Sequence, residues 1–143
     1  MTTLAEAWEL SRKDSGLAVV STLRADHTIQ SSLVNTGVIE QSGEPVLAFV
    51  TYGRVKLANL RRRPQVTAAF RAGWRWAAVE GRAVLAGPDD PRPGLDAEAL
   101  RLMLRDIFTA AGGTHDDWAE YDRVMAEQRR TAVLVTVSRV YGS

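Results

Sequence analysis

The stretch Arg54-Val55-Lys56-Leu57-Ala58-Asn59-Leu60 offers more to a ligand than any other part of this sequence. It follows an apolar run and opens a helical pattern, and the first N–H groups of a helix are unsatisfied and favour an anion. A guanidinium at Arg54 could fork onto phosphate oxygens, while Lys56 would add a point charge. Lysine is scarce, with only Lys13 and Lys56 among 18 basic residues. A solvated basic helix start is the competing reading, and residue types alone leave the two level. Gln30-Ser31-Ser32 carries an amide and hydroxyls that could meet the polar edge of a ring system, although polar strand residues commonly face water. Trp74 and Trp76, two apart, are expected on one face of a strand. They could stack on a planar ligand, fill a dimer interface or pack in a core.

Self-contained catalysis finds little support. The two histidines, His27 and His115, lack metal-ligand spacing to a second ligand, and the chain has no cysteine. There is no G-x-S-x-G elbow and no glycine-rich phosphate loop. An enzyme built from these residues would borrow its reactivity from a cofactor.

The elements that must position these groups follow from periodicity. Thr3 and Glu6 form a capping box before a short helix expected to end near Lys13. Residues 17–23, 29–39 and 46–51 read as strands, the third apolar enough to be buried on both faces. A short helix from Val55 stops at Pro64. Residues 65–71 and 74–85 return to strand character around a turn at Ala72-Gly73. A Pro/Gly-rich loop at 87–94 precedes a helix over 95–111. A last helix carries Trp118, Tyr121 and Met125 on one face, and residues 131–137 form the final strand. Six strands in hairpin steps argue for a mainly β, α+β fold: a mostly antiparallel barrel with flanking helices.

Length and composition fit a single domain over 1–143, with 45% hydrophobic and 24% charged residues. No apolar run is long enough for a membrane span, and the N-terminus lacks the pattern of a signal peptide, so the cytoplasm is the expected compartment. The net charge of +1 conceals a basic stretch over 54–82 and an acidic one over 83–122. A basic middle on a near-neutral chain suggests a local anionic ligand rather than nucleic acid.

Taken in order, several stretches resemble the pyridoxamine-phosphate-oxidase-like, FMN-binding split-barrel superfamily. They are residues 16–23, Gln30-Ser31-Ser32, Arg54-x-Lys56-x-x-Asn59-Leu60-Arg61-Arg62-x-Pro64, and Trp74-x-Trp76-Ala77-x-x-Glu80-Gly81. Trp118-x-x-Tyr121, Arg129-Arg130 and Val140-Tyr141-Gly142 complete the series. The pattern is most similar to actinobacterial deazaflavin-dependent oxidoreductases that use coenzyme F-420, an 8-hydroxy-5-deazaflavin.

The resemblance implies a homodimer of split barrels with the cofactor in clefts between them. It places Arg54 and Lys56 at the phosphate, with Asn59 nearby and Val50 and Thr51 lining the same cleft. Gln30, Ser31 and Ser32 would approach the ring and ribityl portion. Trp74, Trp76 and Ala77 would come from a neighbouring strand or the partner, and Arg129 or Arg130 would complete the pocket. Arg61, Arg62 and Arg63 are candidates for holding the glutamate tail. The implied activity is hydride transfer from reduced F-420 to an electron-poor C=C or C=N bond of a small organic substrate. FMN is the alternative cofactor, and a non-enzymatic cofactor or haem binder, with His27 or His115 as axial ligand, is the third reading. Trp76 departs from the single aromatic followed by Tyr common in relatives, which leaves the substrate unassigned.

Overall fold

The computed structural model describes residues 3–143; Met1 and Thr2, which open the segment read as lacking a signal peptide, lie outside it. In chain order the elements are α1 (Leu4–Glu9), β1 (Leu17–Leu23), β2 (Ile29–Gln41), β3 (Glu44–Thr51) and α2 (Arg54–Arg62). They continue with β4 (Gln65–Ala72), β5 (Arg75–Ala86), α3 (Ala97–Ala110), α4 (Trp118–Glu127) and β6 (Thr131–Gly142). The six strands close a barrel in the order β1-β2-β3-β6-β5-β4, and all neighbouring pairs are antiparallel.

Alternation along the strands builds the core. Ala18, Val20 and Thr22 of β1 point inward between exposed or half-buried neighbours, as a sheet with one wet face requires. β3 is different. Leu47 and Phe49 fill the barrel, while Val46 and Ala48 on its other face pack under α3 and α4 with Leu104, Ile107 and Tyr121. The expectation of a strand buried on both faces therefore holds. Gly37 lets α3 approach so closely: a Cβ there would come within 2.8 Å of backbone atoms of Ala110 and Ala111.

Several boundaries differ from the sequence reading: the break between the second and third strands shrinks to Ser42 and Gly43, and α3 spans Ala97–Ala110 rather than 95–111. The N-terminal helix stops at Glu9, and a 3-10 turn over Arg12–Asp14 carries the chain to Ser15 and Gly16, both at positive φ. β6 runs on to Gly142, with a bulge opposite Glu80 and Gly81. Trp74 is not a strand residue. Ala72 pairs with Arg75, so Gly73 and Trp74 form a two-residue hairpin turn, with Gly73 at φ 62°. Trp74 and Trp76 consequently do not share a strand face.

Candidate functional site

The register of two strands assembles the site. Thr51, near the end of β3, pairs with Thr131, the first residue of β6. The antiparallel arrangement brings the flanking residues, Tyr52 and Arg130, together. The Arg130 guanidinium lies 4.0 Å above the Tyr52 ring, and its Nε donates to Gln128 Oε1 at 2.8 Å. Directly after β3 the chain turns at Gly53, whose N–H donates to Thr51 Oγ1 and whose carbonyl accepts from Leu57 N. This starts α2 with Lys56 in its first turn, on the same buried side as Leu57, Asn59 and Leu60.

Lys56 is only 7% exposed, and its Nζ sits 5.9 Å from the centre of the Phe49 ring. Burial lowers its pKa, and no carboxylate opposes that shift. Burial likewise lowers the pKa of Arg130, which only Tyr52 and Tyr121 partly offset. Two desolvated cations without an anionic partner are costly to the fold unless something compensates them.

Both line one cleft of about 440 Å³. Its walls are Leu33, Val34 and Asn35 of β2, Val50, Thr51 and Tyr52 after the middle of β3, the C-terminal part of α3, and Tyr121 and Met125 of α4. No carboxylate is among the lining residues. Tyr121 donates its hydroxyl to the Leu104 carbonyl at 3.0 Å, and burial pushes its pKa up to about 12, so it stays neutral.

Of the residues singled out in the sequence, Val50, Thr51, Lys56 and Arg130 line this cleft. Arg54 is exposed at the first position of α2. Asn59 turns elsewhere: its Nδ2 donates to Thr22 Oγ1 at 3.0 Å, and that hydroxyl donates to Gln30 Oε1 at 3.2 Å. This polar chain ties α2 to β1 and β2, so Asn59 and Gln30 serve the barrel rather than the cleft. Ser31 faces outward against Ser21 at 2.9 Å. Ser32, opposite Val20, points inward, and its Oγ is the one buried side-chain polar atom among the described residues with no hydrogen-bond partner.

Trp74 stands 98% exposed at its turn, Trp76 packs edge-on against Tyr141 on the outer face, and Ala77 is fully buried inside the barrel. β6 separates β5 and the turn before it from β3, and none of the three lines the cleft within one chain. Arg129 forks to Asp89, Arg61 to Asp90, and Arg63 donates to the Leu23 carbonyl. Those arginines are already engaged.

Sequence reading missed Tyr52, Leu33, Asn35 and the wall from α3 and α4. Tyr52 stood beside the chosen Thr51. The helical wall gave no local signal, because residues inserted between β5 and β6 reach the cleft only through the barrel's closure. Neither histidine lines it: His27 occupies an exposed turn, and His115 packs on Phe108, Trp118 and Tyr121 while its Nδ1 accepts from Asp117 N. No group of three potential metal ligands occurs among the described residues. None of their helices is long and apolar enough to cross a membrane.

No protein-family model matches the chain. Its architecture is nevertheless similar to that of several solved structures. The conserved hypothetical protein Rv2991 from Mycobacterium tuberculosis is 20% identical, with a TM-score of 0.70 over 99% of this chain and 84% of that one. An F420 reductase is also 20% identical, with a TM-score of 0.57 over 87% and 88% of the two chains. A pyridoxamine 5'-phosphate oxidase-related, FMN-binding protein from Nostoc punctiforme is 13% identical, with a TM-score of 0.64 over 97% and 81%. What the chain shares with these proteins is the fold, a closed six-stranded antiparallel barrel with flanking helices.

Proposed function

We propose that the chain is an oxidoreductase that holds the phosphate-bearing part of coenzyme F-420 in the cleft at the start of α2, and acts on a small organic substrate. One observation carries this reading: the cleft is lined by two desolvated cations, Lys56 and Arg130, and by no carboxylate. An anion of phosphate type fits that donor set, with Lys56 as a point charge and Arg130 as a planar fork. Arg54, exposed at the helix start, is available to the same anion from the solvent side.

When bound, the reduced cofactor supplies a hydride for an electron-poor C=C or C=N bond. The protein's own part is to bind, orient and exclude water. Val50 and Thr51 form the strand floor. Ile107, Phe108 and Met125 form an apolar wall that keeps solvent from the reacting atoms.

A second copy of the chain completes the site in this reading. Leu33 belongs both to the cleft and to an exposed apolar stripe on the outer barrel face, where it pairs with Val19 beside Leu17 and Ile29. Such a stripe on a small protein favours association. A partner seated there would bring its Trp74 or Trp76 toward the ring end of the cofactor.

The neighbouring folds include FMN-binding proteins as well as an F420 reductase, and FMN also ends in a phosphate. Separate fluorescence titrations with F-420 and FMN decide between them. The proposal expects saturable F-420 binding; tight FMN binding with no F-420 response would move the chain to the FMN reading.

A further inference from the structure

A second cleft, of about 460 Å³, lies between α3, α4 and the loop that follows β5. Leu100, Leu104, Met125 and Ala126 give it an apolar lining. Its rim is charged, but nearly all those charges cancel. Arg101 donates to Glu98 and to Asp122, Arg105 donates to the same Asp122, and Arg129 is forked onto Asp89. Arg130 is the exception. It lines this cleft as well as the first, and meets no carboxylate. Only its Nε is spent, on Gln128, so the other guanidinium N–H groups remain to meet an anion on either side.

The pattern of charge selects the ligand. A neutral apolar molecule would leave Arg130 uncompensated, and a polyanion would find only this one uncommitted cation, because Arg101 and Arg129 are already held by carboxylates. We propose that the α3–α4 cleft binds a small amphipathic carboxylate, its apolar body against Leu100, Leu104 and Met125 and its carboxylate on Arg130. Apolar surface with one convergent polar group is the usual composition of a small-molecule site. This site adjoins the proposed cofactor cleft and shares Arg130 and Met125 with it, while Leu100, Leu104 and Ala126 line this cleft alone.

Calorimetric titration of the full chain with octanoate and with 1-octanol tests it. The expected result is one octanoate site, with octanol about tenfold weaker for want of the charge-assisted contact. Arg130→Gln should abolish that preference. Ala126→Trp, at an exposed α4 position, should fill the cleft and remove octanoate binding while leaving cofactor affinity and the circular dichroism spectrum unchanged; Ala97→Trp should do the same from α3. Absence of octanoate binding, equal binding of octanol, or binding that survives both tryptophan variants would overturn the proposal. So would a change of oligomeric state in those variants, which would make the cleft a protein interface.

Discussion

The two ends of the α3–α4 layer treat positive charge in opposite ways. Along the helices, Arg101 and Arg105 share Asp122, and Arg123 holds Glu120 and Glu127. The Arg123 pairs stand largely in solvent and those on Asp122 are part-buried at the surface; Coulomb attraction there is screened, and holding long side chains still costs entropy. Each contributes little, and each side chain is accounted for. At the cleft, Lys56 and Arg130 are more buried, yet neither meets a carboxylate. Desolvation there opposes folding instead of aiding it. A charge kept at the fold's expense points to a ligand outside the chain, whereas an abundance of arginine does not.

The largest effect that tests this contrast is on binding. Lys56→Ala should weaken a phosphate-bearing cofactor by about 1.5–3 kcal/mol, roughly ten- to a hundredfold in Kd, read by fluorescence titration. Tyr52→Leu removes the ring beneath Arg130 and should cost a few-fold in Kd, for a cation–π contact worth about 0.5–1 kcal/mol. Asp122→Asn should do the reverse of both: Tm falls by a few degrees while cofactor affinity is unchanged.

The pH dependences also differ in sign. Hydrogen bonds from Arg105 and then Arg101 hold the Asp122 carboxyl below the usual aspartate range, against the opposing effect of burial. Its stabilisation is therefore present above the unfolded aspartate pKa and lost as pH falls through the lower folded value. The Tm gap between wild type and Asp122→Asn should close only in acid. Burial lowers the pKa of Lys56, so protonated Lys56 opposes folding at neutral pH. That penalty is relieved as pH rises from the folded value toward about 10.5, where the unfolded lysine titrates. Lys56→Met should be the more stable protein at pH 7, with its advantage shrinking toward pH 10.

Much of the fold was legible because its signals are local. A short run rich in β-formers gave β1 its full span, the capping box gave α1 its start, and Pro64 limited α2. Trp74 was misplaced because its neighbour Gly73 takes a positive φ that makes a two-residue turn, a choice that tryptophan spacing does not reveal. The site was legible only in part. Lys56, Thr51 and Val50 lie close together in sequence, so one motif found them. The meeting of Tyr52 with Arg130 depends on the β3–β6 register, which no local pattern encodes. Asn59 shared the motif and a polar side chain, but Thr22 waited on the neighbouring strand to take its amide. Only packing distinguishes it from Lys56.

The most direct test compares cofactors with and without their phosphate in wild type and Lys56→Ala: FMN against riboflavin, and F-420 against its ring-and-ribityl fragment. The account predicts that wild type favours the phosphate-bearing form of its cofactor by about tenfold or more, and that the preference collapses in Lys56→Ala. A preference that survives the loss of Lys56 would contradict it.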